Sequence, residues 1–212
     1  MGSSFRTIDE GYEAAAEFVD RRSRFIAQVR WVDGERGADA FIEEVRARHH
    51  DARHNVPAWI LSDGRERCSD DGEPRGTAGM PTLEVLRGAD LADVCCVVTR
   101  YFGGTLLGPG GLVRAYTAAT QAAVERAQAD DKVVLMTLVT PVTVVIPYAA
   151  YGRVERLVAD CGGKVRDSLF SEDVQLNCAF VAGEEERFVE AMRELAAGDE
   201  LCRVGEPRFA AF

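Results

Sequence analysis

No stretch of this 212-residue sequence is apolar for long enough to cross a bilayer as a helix, since Thr137, Thr140, Pro141 and Thr143 break the longest candidate. The first residues, Met1 to Glu10, lack the apolar centre of an export signal, and Arg6 spoils the acylation pattern that Met1-Gly2 opens. No two of the six cysteines, Cys68, Cys95, Cys96, Cys161, Cys178 and Cys202, are spaced as C-x-x-C, which removes the usual zinc and dithiol motifs. Most sit among apolar neighbours, where reduced cysteine serves as a small hydrophobe. A soluble chain in a reducing cytoplasm is expected, with no membrane partner. Lysine is nearly absent, Lys132 and Lys164 being the only two. The formal charge of −10 gives no general attraction to nucleic acid, so binding of a polyanion requires a local basic patch.

What is present reads as an α+β chain in two domains, 1–132 and 133–212. Gly11 to Val19 and Arg24 to Val32 form two strands joined by a charged turn at Asp20 to Ser23, in which Arg21 and Arg22 are solvated. Ala38, Phe41, Ile42 and Val45 recur at helical spacing and predict a helix over Gly37 to His49. Pro57 is expected to interrupt the chain ahead of a short strand at Ala58 to Leu61. A short helix over Pro81 to Leu86 precedes a strand from Val94 to Phe102. Both faces of that strand are apolar, with Val94, Cys96 and Val98 on one and Cys95 and Val97 on the other, the pattern of a central strand covered on both sides. Leu112, Tyr116, Ala119, Ala123 and Ala127 then mark a helix over Leu112 to Ala129, with Arg114 in its first turn on the polar side.

The second half begins with a β-rich stretch, Val133 to Ile146, interrupted at Pro141. Strand, helix (Tyr148 to Asp160), strand (Lys164 to Phe170), strand (Asp173 to Val181), helix and a last strand near Cys202 to Phe209 follow. This βαββαβ order is ferredoxin-like.

Chemistry concentrates between these elements. Asp70, Asp71, Glu73, Arg75 and Thr77 lie in one glycine-rich segment. Arg100 runs directly into Gly103-Gly104, and Gly108, Gly110 and Gly111 lead into the helix that carries Arg114. From Val94 to Val124 the only charged side chains are Arg100 and Arg114, so the field there is positive within a negative chain. A glycine loop ending at a helix start offers free N–H groups and a positive dipole end to an anion. No G-K-[ST] follows the loop, which excludes a Walker-type nucleotide site. Two readings stand: Arg75, Arg100 and Arg114 with the glycines bind a phosphate or a partner, or the arginines pair with Asp70, Asp71 and Glu73. The acidic cluster is not read as a metal site. His49, His50 and His54 lack further ligands nearby, although His50 and His54 would share a face if the helix continued; His49 and His54 are kept as accessory residues. No nucleophile is placed beside a base, and no catalytic residue, cofactor or metal is assigned.

Arg46-Ala47-Arg48-His49, Asp51-Ala52-Arg53-His54-Asn55, Ser69 to Pro74 with Gly76 to Gly79, and Thr99 to Gly104 running on to Gly111-Leu112-Val113-Arg114-Ala115-Tyr116 occur together and in order. They resemble the IMPACT family in its bacterial, YigZ-like branch. The resemblance covers the first domain by motif and the second by order of elements. It implies that the first domain has the fold of domain 2 of ribosomal protein S-five, also seen in domain IV of elongation factor G. The second would resemble domain V of that factor. Eukaryotic members carry a different, N-terminal interaction domain and restrain a starvation-sensing translation kinase by competing for its ribosome-associated activator; no room for that extra domain is expected before the first motif here. The resemblance therefore implies a translation-associated binding protein, with RNA or the ribosome, or a protein, as partner. Relatives often carry cysteine where this chain has Val56, which weakens any metal site among the histidines. A binder of small phosphate ligands, or an enzyme using the same loop and the acidic cluster, is the alternative.

Overall fold

The computed structural model describes residues 4–196 and 201–212; residues 1–3, part of the N-terminal reading above, lie outside them. The chain is α+β and separates into two compact units, Phe5–Leu135 and Met136–Phe212. No helix among the described residues is long and apolar enough to cross a membrane.

The first unit contains β1 (Ser4–Ile8), β2 (Glu13–Asp20), β3 (Ser23–Trp31), α1 (Glu35–Arg48), β4 (His54–Ile60), β5 (Glu66–Cys68), α2 (Gly79–Gly88), β6 (Val94–Tyr101) and α3 (Gly108–Ala129). Its five-stranded sheet runs β2-β3-β6-β4-β5, antiparallel throughout. β6 is central, and its first seven residues are buried. The period-2 alternation sends Val94, Cys96 and Val98 into the core under α2 and α3, and Cys95 and Val97 into the smaller core under α1. α3 packs through the expected small-residue stripe, which lets helix and sheet approach closely. It starts one turn earlier than Leu112, so Arg114 lies in its second turn.

Pro57 does not interrupt the chain; it lies inside β4, opposite Val97. A strand residue's nitrogen and oxygen point to the same side, and Pro57 O accepts the Ser69 N–H at 3.1 Å. The missing donor thus faces the edge beyond the last β4–β5 pair, Ala58 with Cys68, and costs no bond to β6. β1 and the three-residue β5 carry too little alternation to be read from sequence.

The second unit is built from β7 (Val133–Ile146, within which the division between the units falls), a 3-10 turn (Tyr148–Ala150), α4 (Tyr151–Asp160), β8 (Lys164–Phe170), β9 (Val174–Val181), α5 (Glu185–Leu195), β10 (Cys202–Val204) and β11 (Arg208–Ala211). The sheet that contains β7 has six strands in the order β1-β7-β9-β8, with β10 and β11 also paired to β7; the antiparallel run β8-β9-β7 with β10 and β11 is the ferredoxin-like arrangement. Val142, Val144, Ile146, Leu176 and Phe180 pack under Val154, Val158, Phe188 and Met192. β7 passes through Pro141 without a break. Pro141 O accepts the Gly205 N–H at 2.8 Å, so its nitrogen faces the gap between β10 and β11, where the last strand itself is interrupted. The proline's missing donor and the break in its partner coincide.

Candidate functional site

Arg100 shares the parity of Val94, Cys96 and Val98 and so enters the helix-covered face of the sheet, although it is charged. Its cross-strand neighbours there are Phe25 on β3 and His54 on β4. It is only 6% exposed. Burial of a guanidinium requires a counter-charge, and the loop before α2 supplies Glu73: Arg100 Nη1 donates to both carboxylate oxygens, at 2.7 and 3.0 Å. Tyr116 on α3 donates its hydroxyl to Glu73 Oε1 at 2.8 Å. Burial first, and then the Glu73 charge, push the Tyr116 hydroxyl far above its ordinary value, so it remains a donor. The Tyr116 ring meets Phe25 edge-on at 5.1 Å. His54 Nε2 stands 3.9 Å from Glu73, and its Nδ1 bonds to Asp71 O at 2.8 Å. Arg100 Nε has no hydrogen-bond partner.

Arg100 and Glu73 form the floor of a cleft of about 360 Å³. Its walls come from Phe102, Leu106, Leu107, Pro109 and Leu112, with Arg53, His54 and Pro74 opposite. α3 begins at this cleft with no side-chain cap and no acidic residue in its first turn. The N–H groups of its first turn are therefore uncommitted to a cap, and the positive dipole end faces the loop. Gly108 has φ +70°, a conformation that only glycine enters readily.

The acidic residues diverge. Asp70 Oδ2 accepts the Gly76 N–H at 2.7 Å, and its Oδ1 accepts those of Ala78 and Gly79 at 3.1 and 2.9 Å, closing the loop onto the start of α2. Burial opposes the ionised form of Asp70, but the three N–H donors prevail and hold its carboxyl below the usual range. Asp71 accepts the Asn55 N–H at 2.7 Å and meets Arg46 at 3.3 Å. Thr77 is turned inward, donating to Pro74 O at 2.6 Å. Among the described residues no group of three or more His, Cys, Asp or Glu side chains is placed to hold a metal ion. Of the pairings the sequence left open, Arg100 with Glu73 is present, whereas Arg114 and Arg75 are exposed and form no ion pair among the described residues. Arg114 lies against Gly110, its Nη1 3.7 Å from where a Cβ there would stand. Because α1 ends at Arg48, His49 and His54 leave the helix separately: His49 Nδ1 meets the Tyr101 hydroxyl at 3.0 Å, and His54 belongs to β4.

Sequence reasoning missed two components. Tyr116 reads as core in a stripe of alanines, and only its polar tip hinted at a bonded hydroxyl. The β2–β3 turn reads as solvated, yet it packs directly on Gly103: a Cβ there would fall 2.1 Å from the Arg22 carbonyl carbon. Gly103 N–H donates to Ser23 Oγ at 3.1 Å, and Arg21 Nη1 reaches Leu106 O at 3.5 Å. This contact carries Arg21 and Arg22 to the loop that walls the cleft.

A model described as the Impact N-terminal domain matches residues 21–124, and one described as a domain of unknown function, DUF1949, matches residues 144–199. The IMPACT family member YvyE of Bacillus subtilis (strain 168) is 34% identical over 208 residues, 97% of this chain and 93% of its own length. The IMPACT family member YigZ of Escherichia coli (strain K12) is 37% identical over 182 residues, 84% of this chain and 87% of its own. A crystal structure described only as that of a hypothetical protein is 31% identical, aligns over 100% of this chain and 98% of its own, and has a TM-score of 0.63.

Proposed function

This chain belongs to the IMPACT family, and from that premise we propose that it is a translation-associated regulatory protein, not an enzyme, whose first unit docks an RNA backbone on the rim of the cleft. The observation that carries the reading is a basic rim in an acidic chain. Arg22, Arg53 and Arg114 come from three separate elements, are exposed, and form no ion pair among the described residues. Arg53 lines the cleft together with Gly108 and Pro109 at the uncapped start of α3, Arg114 lies in the second turn of that helix, and the Arg22 backbone packs on Gly103; the N–H groups of the helix start suit phosphate oxygens. Arg75 stands exposed on the neighbouring loop. Arg100, already balanced by Glu73, belongs to the floor and contributes position more than free charge.

Binding of a labelled single-stranded RNA, followed by fluorescence anisotropy between 50 and 200 mM salt, tests this directly, those concentrations being about the range over which counterion release is readily seen. The expected result is a log–log salt slope that falls by about one for each of Arg22→Ala, Arg53→Ala and Arg114→Ala that removes a phosphate contact. Absence of salt-dependent RNA binding would overturn the proposal. Nuclease-insensitive capture of one ribosomal protein would replace it with protein docking. A rise in melting temperature with phosphorylated metabolites, and no RNA binding, would replace it with a small-ligand site.

A further inference from the structure

The rim accounts for phosphates, but it leaves the cleft itself unused. The cleft combines apolar walls with a buried polar floor. Phe102 is 43% exposed and Leu106 81% exposed, although both border a space able to cover them. Arg100, nine-tenths buried, keeps Nε without a hydrogen-bond partner, and its bonds to Glu73 both leave from Nη1. Nε itself is sealed from solvent, so it is the Arg100 guanidinium edge lining the cleft that would meet a ligand, and such an edge suits acceptor atoms.

The balance of charge decides what kind. The Glu73 carboxylate lies within hydrogen-bond distance of Arg100, so the floor carries no net positive charge. Drawing a phosphate into this space would strip its water and set it near a buried carboxylate, an unfavourable exchange. A neutral planar ring with carbonyl oxygens or ring nitrogens on its edge meets no such penalty. Phe102 already stacks on a delocalised cation, the Arg100 guanidinium carbon lying 5.6 Å from its ring centre, and has surface left over. A volume of about 360 Å³ is at the small end of ligand pockets and admits one base but not a duplex.

We infer that the cleft takes a single unpaired nucleobase, so that the docked RNA is single-stranded, its phosphates held outside on the arginine rim and one base inserted against Phe102 and Leu106 over Arg100. This rests on the RNA reading above and narrows it: backbone contacts position the strand, and an inserted base distinguishes it from a duplex.

The test compares three probes on the full chain: a 12-nucleotide oligouridylate, an abasic strand with the same number of phosphates, and the uridylate annealed to its complement. The uridylate is expected to bind about tenfold more tightly than the abasic strand, the order of effect of one base stacked on an aromatic side chain. Phe102→Ala and Leu106→Ala, both at exposed positions, should remove most of that difference and leave abasic binding and its salt slope unchanged. Equal binding of uridylate and abasic strand, or of uridylate and duplex, overturns base insertion while the rim proposal stands. Failure of all three probes to bind at low salt overturns both.

Discussion

Substituting Glu73 by Gln probes the link between fold and site most sharply. The carboxylate is 3% exposed and Arg100 8% exposed as side chains, so solvent does not screen the pair. Glu73→Gln keeps the shape and one acceptor for Tyr116, but it removes the charge that balances Arg100 and turns an amide N–H₂ toward donors. Breaking a buried ion pair from one side typically costs about 3 to 5 kcal/mol, because the remaining charge is left uncompensated. At roughly 2 to 4 °C per kcal/mol for a chain of this size, the transition should fall by about 6 to 20 °C. Both tryptophans, Trp31 and Trp59, lie in the first unit, so tryptophan fluorescence in urea reports the unit that holds the pair. The companion variant Glu73→Leu with Arg100→Met removes both charges together, and it should recover most of the loss, since apolar replacement of a whole buried pair is often neutral or stabilising. A Glu73→Gln variant within about 1 kcal/mol of the parent would place the pair in the screened, surface range and refute a dry, coupled floor.

Other expectations follow from the same network. Asp70→Ala should cost about 0.5 to 2 kcal/mol, the range for removing a side chain that bonds the N–H groups at a helix start. Because the folded carboxyl is depressed, the stabilisation of Asp70 is complete above its unfolded value of about 4 and is lost as pH falls through the lower folded value. The variant should therefore lose stability less steeply in acid urea titrations than the parent. Gly103→Ala drives a methyl into the Arg22–Ser23 backbone. It should destabilise the first unit by about 1 to 3 kcal/mol, as overpacking does, and weaken RNA binding by displacing Arg22; unchanged stability would show that the turn yields freely. Burial pushes the Cys96 thiol to about 12 and that of Cys178 to about 11. With Cys95 and Cys161 also buried, thiol reagents at pH 8 should modify only Cys68 and Cys202 in the native chain and all six after unfolding.

How much of this was legible depended on whether the signal was local. The period-2 run at Val94 to Val98 was enough to identify β6 as central and doubly covered, and the small-residue stripe of α3 was enough to identify its packing face. The order of elements in the second half was enough for its ferredoxin-like topology. Each is a periodicity or an order along the chain, which burial imposes directly on residue choice. Pro57 and Pro141 misled, because whether a missing N–H matters depends on which edge of the sheet it faces, and that is settled by neighbouring strands remote in sequence.

The site lay further from reach. The density of charge and glycine in Asp70 to Gly79 and Gly103 to Arg114 pointed to segments that border one cleft, but not to how their charges would be divided. Glu73, three residues from Asp70, crosses to Arg100 on β6, whereas Asp70 folds back on its own loop and Asp71 secures β4. Those assignments follow from direction and distance, which composition does not encode. Sequence alone thus determined that this chain would fold as two domains and carry a glycine-rich, locally basic segment in an acidic whole. Only tertiary structure decided that Arg100 would be neutralised by Glu73 while Arg53, from a segment far away in the chain, would line the same cleft, because electrostatic pairing is set by proximity in space.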